Sequence, residues 1–166
     1  MNPYFEKFTI RWSDMDANRH LANASYMNFC SQTRMQFLMK HNYSFEQLIK
    51  QNIGPIIMKE VFSFYKEFLF HNTVFVGIEI KGKSEDGSLF HFHQRMYNEK
   101  GEHCASSDVY GAWFDLHHRK ITIPSDDLKK VLDSINTENI EILSLEDLKQ
   151  KSEKPEPIDI SLFENF

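Results

Sequence analysis

Cysteine is scarce: Cys30 and Cys104 are the only two in 166 residues. Two thiols make no disulfide framework, so both are expected to be reduced and the compartment cytoplasmic. No apolar run approaches the roughly 20 residues that cross a bilayer. The opening Met-Asn-Pro-Tyr-Phe-Glu-Lys lacks the apolar stretch of a signal peptide. No membrane partner is therefore expected. Positive charge is short too. A net charge of −5 works against non-specific nucleic-acid binding, which needs a basic surface. No Walker or dinucleotide glycine pattern occurs, and no internal repeat, low-complexity tract or domain boundary is visible. The length fits one domain with a full core.

Aromatic residues, by contrast, are plentiful. Fifteen Phe suggest large apolar contact surfaces, some of them between subunits. Residues Tyr4 to Trp12 alternate as a strand does. From Asn23 to His41, a stretch without Gly or Pro, the pattern is helical, with Tyr26, Met27, Cys30, Phe37 and Leu38 on one face. Arg34 falls on that face and so requires a buried or half-buried partner. Ser44-Phe45-Glu46-Gln47 reads as a capping box for a short helix to Gln51, which Gly54-Pro55 ends. Ile56–Phe70, Thr73–Lys83, Leu89–Tyr97 and Cys104–Leu116 read as long strands, with turns at Glu85-Asp86-Gly87-Ser88 and Asn98-Glu99-Lys100-Gly101. A helix is expected from Pro124-Ser125 to Ile135. The tail is expected to be helical over Leu145–Lys151 and otherwise loose. The order predicts an α+β domain, one long helix laid across a curved antiparallel sheet whose open edges favour pairing between subunits.

Between the first strand and the long helix stands Asp14-Met15-Asp16-Ala17-Asn18-Arg19-His20-Leu21-Ala22-Asn23-Ala24-Ser25-Tyr26. It holds two carboxylates, an imidazole and an amide. Such groups suit a site, because a helix N-terminus offers unpaired N–H groups and partial positive charge to an anionic oxygen. A bland reading stands beside this: Asp14 and Asp16 could simply cap a turn or the helix. In extended backbone the two would share a face, and like charges there raise one pKa. His20 is either an orienting hydrogen-bond partner or a polar loop residue, and Tyr26 suits packing better than reaction. Lys83 and Arg119 follow long strands and could grip coenzyme A phosphates, or be plain solvated cations. His91-x-His93 shares a strand face and reads as a polar or interface pair rather than a metal site. His117-His118 is a weaker signal still, and Cys30 reads as core.

With this order, the motif resembles that of the hotdog-fold acyl-CoA thioesterases of the 4-hydroxybenzoyl-CoA thioesterase-like family, Asp-x-Asp-x-x-x-His-x-Asn-Asn-x-x-Tyr. Asp14, Asp16, His20, Asn23 and Tyr26 match it, Arg34 matches a helix arginine, and Gly82-Lys83-Ser84 resembles a segment before the family's hairpin. The resemblance covers roughly Tyr4 to Pro124. It implies a hotdog domain over residues 1–136, followed by a charged tail over 137–166. It implies an acyl-CoA thioesterase with Asp16 as general base or nucleophile and the Asn23 N–H as oxyanion donor. Asp14, His20 and Tyr26 would be the other motif residues of the site, Lys83 and Arg119 remaining candidates for the coenzyme A phosphates from their place after long strands, with no metal or nucleotide cofactor. It further implies a homodimer or homotetramer with sites at the subunit boundary. Three departures bear on substrate more than on fold: Ala22 for the first Asn, Ser31 for an acidic helix residue, and Glu67 for a proline. They leave room for a non-hydrolytic acyl-thioester binding protein. An enoyl-thioester hydratase-like hotdog protein is a third possibility.

Overall fold

The computed structural model describes residues 4–135, 139–150 and 155–157. Strand β1 (Phe5–Thr9) leads through a single 3-10 turn (Trp12–Asp14) and the motif loop into helix α1 (Asn23–Lys40). Helix α2 (Phe45–Gln51) follows, then β2 (Ile53–Phe64), β3 (Thr73–Lys83), β4 (Leu89–Tyr97) and β5 (His103–Asp115). After them come β6 (Lys120–Ile121), α3 (Asp126–Asp133), β7 (Glu141–Ile142) and α4 (Leu145–Gln150). The sheet runs β1-β3-β4-β5-β2, all antiparallel, with β6 beside β5 and β7 parallel to β3. A long helix against a curved antiparallel sheet is the hotdog fold. Among the described residues no helix is long and apolar enough to cross a membrane.

Local chemistry sets the boundaries. Ser44 and Gln47 exchange side-chain and backbone hydrogen bonds at the start of α2, completing the capping box. That helix does not end at Gly54-Pro55, which lie inside β2. Asn52 ends it, in the left-handed region at φ 53°, a conformation asparagine tolerates at a helix C-terminus. The Asn98 turn closes on Gly101 at φ 75°, where a side chain would be strained.

Helix α1 buries Tyr26, Phe29, Cys30, Thr33, Phe37 and Leu38. Met27, placed on that face by periodicity, is exposed, because it sits about 100° around the helix from Tyr26. Thr33 is tolerated in the core because its hydroxyl donates to the Phe29 carbonyl at 2.8 Å. A bulge in β2 between Ile57 and Lys59 reverses which residues face the helix. Before it, Ile53 faces inward; after it, Glu60 and Phe62 do. The tail is less loose than expected. Leu143 and Leu148 pack on Leu89 and Ala112 from the sheet face opposite α1. Lys151, the expected end of the tail helix, lies outside the described residues.

Candidate active site

The motif loop is a hairpin-like excursion held by backbone bonds. Met15 bridges to Leu21, the Asp16 N–H donates to the His20 carbonyl at 2.9 Å, and the Ala22 N–H donates to the Asp14 carbonyl at 2.8 Å. The Ser25 hydroxyl donates to that same Asp14 carbonyl at 3.0 Å, fixing the loop to the first turn of α1. Asp16 therefore sits opposite His20 on this ladder, two residues from the Ala22 N-cap, about 7 Å at strand spacing.

The two carboxylates do not share a face. The 3-10 turn points Asp14 inward, where its oxygens accept from the Arg11 backbone N–H at 2.8 Å, Nε at 3.1 Å and Nη2 at 3.0 Å. The Arg11 guanidinium holds the Asp14 carboxyl below the usual aspartate range. Asp14 is thus a buried clamp within its own loop. Asp16 is half-buried. Its Oδ1 accepts from the N–H groups of Asn18 at 2.8 Å and His20 at 3.1 Å, so one oxygen caps the turn, as the bland reading expected. Its Oδ2 has no hydrogen-bond partner among the described residues.

Helix α1 opens without a side-chain cap: Ala22 holds the N-cap position and makes no side-chain capping hydrogen bond. Asn23, the first helical residue, is exposed. The Ala22 departure thus leaves the helix start without the side-chain cap that an Asn there could give. His20 Nε2 lies 2.7 Å from Glu67 Oε2, and Leu21 N–H donates to the Phe68 carbonyl at 2.9 Å. The Glu67 departure is therefore the partner of the motif histidine. Tyr26 is buried between Phe64 and Phe68, ring centroids at 5.0 and 5.9 Å, and burial pushes its hydroxyl up to about 12. Its ring packs into the core at the first turn of α1.

Arg34 has the partners its position demanded. Its Nη1 donates to Gln94 Oε1 at 2.7 Å and reaches Glu60 Oε1 at 3.4 Å, which also accepts from Ser107 Oγ at 3.0 Å. Gln94 Nε2 donates to the Cys30 carbonyl at 3.0 Å. Gln94 and Ser107 are fully buried. Sequence reasoning missed Glu60, Gln94 and Ser107. A charged residue within a strand pattern was the available signal for Glu60, but the bulge at Met58 reverses its phase.

Lys83 and Arg119 are not brought to Asp16 within one chain. Lys83 ends β3, about 30 Å along the strand from Thr73, which pairs with β1 beside the motif loop. Its Nζ lies 2.6 Å from Asp133 Oδ1. Arg119 lies over the Phe114 ring, 5.1 Å from its centroid. His91 Nε2 and His93 Nδ1 both contact Asp108 Oδ1, at 2.7 and 2.9 Å, on the sheet face opposite α1. Among the described residues no group of three or more His, Cys, Asp or Glu is arranged to hold a metal. Cys30 and Cys104 are free and buried, and burial pushes the Cys30 thiol up to about 12.

Fold and motif define a class, hotdog proteins of the thioesterase type. The chain belongs to the thioesterase-like superfamily, which matches residues 10–132. It is similar in fold to a Staphylococcus aureus protein described in complex with CoA: TM-score 0.75, 14% identity, covering 94% of this chain and 96% of that one. It is also similar to the 1,4-dihydroxy-2-naphthoyl-CoA thioesterase of Synechocystis, with TM-score 0.71 and 12% identity over 80% of this chain and 96% of that one. A DHNA-CoA thioesterase from Staphylococcus aureus has TM-score 0.71 and 14% identity over 93% and 97% of the two chains. No curated protein matches the sequence.

Proposed function

We propose that this protein hydrolyses an acyl thioester of coenzyme A, with Asp16 acting on the carbonyl and the Asn23 N–H receiving the oxyanion. The observation that carries this is the pairing of two open groups at one place. Asp16 spends only Oδ1 on the turn, and α1 starts without a side-chain cap. A thioester carbonyl needs both a positioned carboxylate and donors for the charge that develops on oxygen. As general base, Asp16 takes a proton from water as the water oxygen attacks the carbonyl carbon. The C–S bond then breaks, and the thiol and the carboxylic acid leave. As nucleophile, Asp16 attacks the carbon itself, expels the thiolate and is released from the mixed anhydride by water. His20, paired with Glu67, braces the turn in either route.

The coenzyme A assignment is supported by the superfamily and by the CoA-bound and CoA-thioester-cleaving proteins of similar fold. The edge strand β2 supports a homodimer or homotetramer with the site near the subunit boundary. The test is a panel of acyl-CoA thioesters with a free-thiol readout on wild type and Asp16→Asn. Turnover of at least one thioester, abolished or strongly reduced in Asp16→Asn, supports the reading. Tight thioester binding without thiol release would instead mark a binding protein.

A further inference from the structure

The contact between His20 and Glu67 joins two loops that backbone bonds already hold. The motif loop closes on a turn in which the Arg19 N–H donates to the Asp16 carbonyl at 3.1 Å, with Arg19 in the left-handed region at φ 66°. That residue forms the bulge of a three-residue hairpin loop and sets His20 opposite Asp16, whose N–H donates to the His20 carbonyl. On its other side His20 bridges antiparallel to Leu69, in the connection between β2 and β3. Residues opposed across antiparallel backbone project to one face, and so do residues two apart along it. Asp16, His20 and Glu67 therefore stand in a row on one face with the imidazole in the middle. The 2.7 Å between His20 Nε2 and Glu67 Oε2 closes the row on one side.

The two side chains are 42% and 51% exposed, and an exposed pair of this kind adds little to stability. The neighbouring Lys66 is engaged by Glu102 at 2.6 Å, so it does not draw Glu67 away. A neutral imidazole carries its proton on one nitrogen, and the partner of one nitrogen decides the state of the other. With Nε2–H donated to Glu67, Nδ1 is left as an acceptor, and it has no hydrogen-bond partner among the described residues. Nδ1 is the ring nitrogen nearer the backbone, and opposed Cβ atoms lie about 5 Å apart, so it stands close to Asp16. A water that attacks a carbonyl carbon has two O–H bonds. Asp16 takes the proton of one; an acceptor for the other aims the oxygen lone pair at the carbon. We propose that Glu67 is a positioning residue for thioester hydrolysis, holding His20 in its Nε2–H form so that Nδ1 accepts a hydrogen bond from the water that Asp16 deprotonates. This rests on the thioesterase reading, in its general-base route. The water oxygen bonds to the carbonyl carbon and its proton goes to Asp16. The C–S bond then breaks, the Asp16 proton leaves with the thiol, and His20 keeps its own proton throughout.

The imidazole can be read directly. Long-range ¹H–¹⁵N spectra of the full-length protein, at a pH where the ring is neutral, separate the nitrogen that carries hydrogen from the bare one, and His20→Gln assigns the signals. Wild type is expected in the Nε2–H form. Glu67→Ala removes the acceptor and is expected to leave His20 averaged between its two neutral forms. Glu67→Gln still offers a side-chain oxygen and is expected to keep Nε2–H. Glu67→Met serves should Glu67→Ala not fold. On a thioester that wild type cleaves, Glu67→Ala is expected to lower kcat about tenfold, the worth of one hydrogen bond, with KM nearly unchanged. Glu67→Gln is expected to recover most of that loss, and the melting temperature to hold in both variants. A wild-type ring in the Nδ1–H form overturns the proposal, and so does a ring that Glu67→Ala leaves unchanged. Unchanged kcat in Glu67→Ala overturns it too, and a kcat that falls only in step with the melting temperature reduces the pair to a structural brace. Wild type that cleaves no thioester overturns the reading on which the proposal rests, an outcome distinct from cleavage that is indifferent to Glu67.

Discussion

Two aspartates two residues apart do different work, and the difference lies in where the backbone turns. Asp14 ends the 3-10 turn and faces Arg11, while Asp16 opens the next turn and keeps an oxygen in reserve. Asp16→Asn retains a side-chain oxygen for the Asn18 and His20 N–H groups, so the loop is expected to hold. Turnover is expected to fall at least about a hundredfold, the low end for a positioned acid, base or nucleophile. Kinetics on a good substrate, with circular dichroism on the same sample, checks both halves; loss of folded protein would assign Asp16 to capping alone. Asp14→Asn is expected to do the reverse. The Asp14 carboxyl titrates below its unfolded value, so its ionised form stabilises the fold above about pH 4. That contribution fades as pH falls through the folded value. The variant should therefore melt a few degrees below wild type at pH 7, with the gap closing below about pH 4. The acid limb of kcat/KM should stay where it is, because Arg11 already balances the Asp14 charge. An acid limb that moves in Asp14→Asn would couple the two carboxylates after all. The motif was legible as a string of residue types. What the string could not tell was which carboxylate turned inward, because that depends on a three-residue turn and on Arg11, whose spacing alone does not mark it as a partner.

The elements are tied together by buried polar groups as much as by apolar packing. Arg34 reaches from α1 to β4 through Gln94 and to β2 through Glu60, whose side chain is 8% exposed. Arg34→Met keeps the bulk and strands Glu60 without its cation. A loss of about 2–4 kcal/mol is expected in chemical denaturation. Adding Glu60→Gln should recover much of it, and a double variant as weak as the single one would show that packing rather than charge is lost. The sheet interior has a comparable constraint at Gly111, where a Cβ would fall against the Ile56 carbonyl oxygen and the Phe90 ring. Gly111→Ala is expected to destabilise by about 1–3 kcal/mol or more, as overpacking does. A melting temperature equal to wild type would mean that β2 and β5 can part locally. Helices α1 and α2 and strands β3 to β5 could be read closely from periodicity and turn residues, because each keeps one period over most of its length, the irregularities at Ile80/Gly82 and Met96/Tyr97 falling near strand ends. Strand β2 could not. Its bulge at Met58 breaks the alternation, so a period-2 reading turns Glu60 outward and hides the partner that Arg34 was known to need.

At the scale of the whole molecule, the two sheet edges are treated differently. The β3 side is covered by β1 over Thr73–Gly77 and by β7 at Gly82 and Lys83. The β2 side has a strand of twelve residues whose outer edge pairs with nothing among the described residues. An open edge of that length is an invitation to another chain. Not all of the aromatic load in this region is available, as the sequence alone would suggest. Phe68 is fully buried and Phe62 packs into the core, leaving Phe64 at 51% and Tyr65 at 60% exposed. Ile57, Met58 and Val61 add further exposed apolar area along the same strand. Apolar side chains on both faces of an unpaired edge strand are costly to leave wet, and a second copy meeting the edge about a two-fold axis would cover them and satisfy the unpaired backbone groups. The protein is therefore expected to scatter light as at least a dimer at micromolar concentration, not as a 19.7 kDa monomer. Val61→Lys with Phe64→Glu places a charge on each face of the edge, as natural edge strands do, and is expected to shift the mass towards the monomer while far-ultraviolet circular dichroism stays unchanged. If the site needs the neighbouring subunit, turnover should fall in step with the dimer fraction as this variant is diluted. Full activity from a monomeric variant would confine the chemistry to one chain, and a wild type of monomer mass would leave the β2 edge to some other partner.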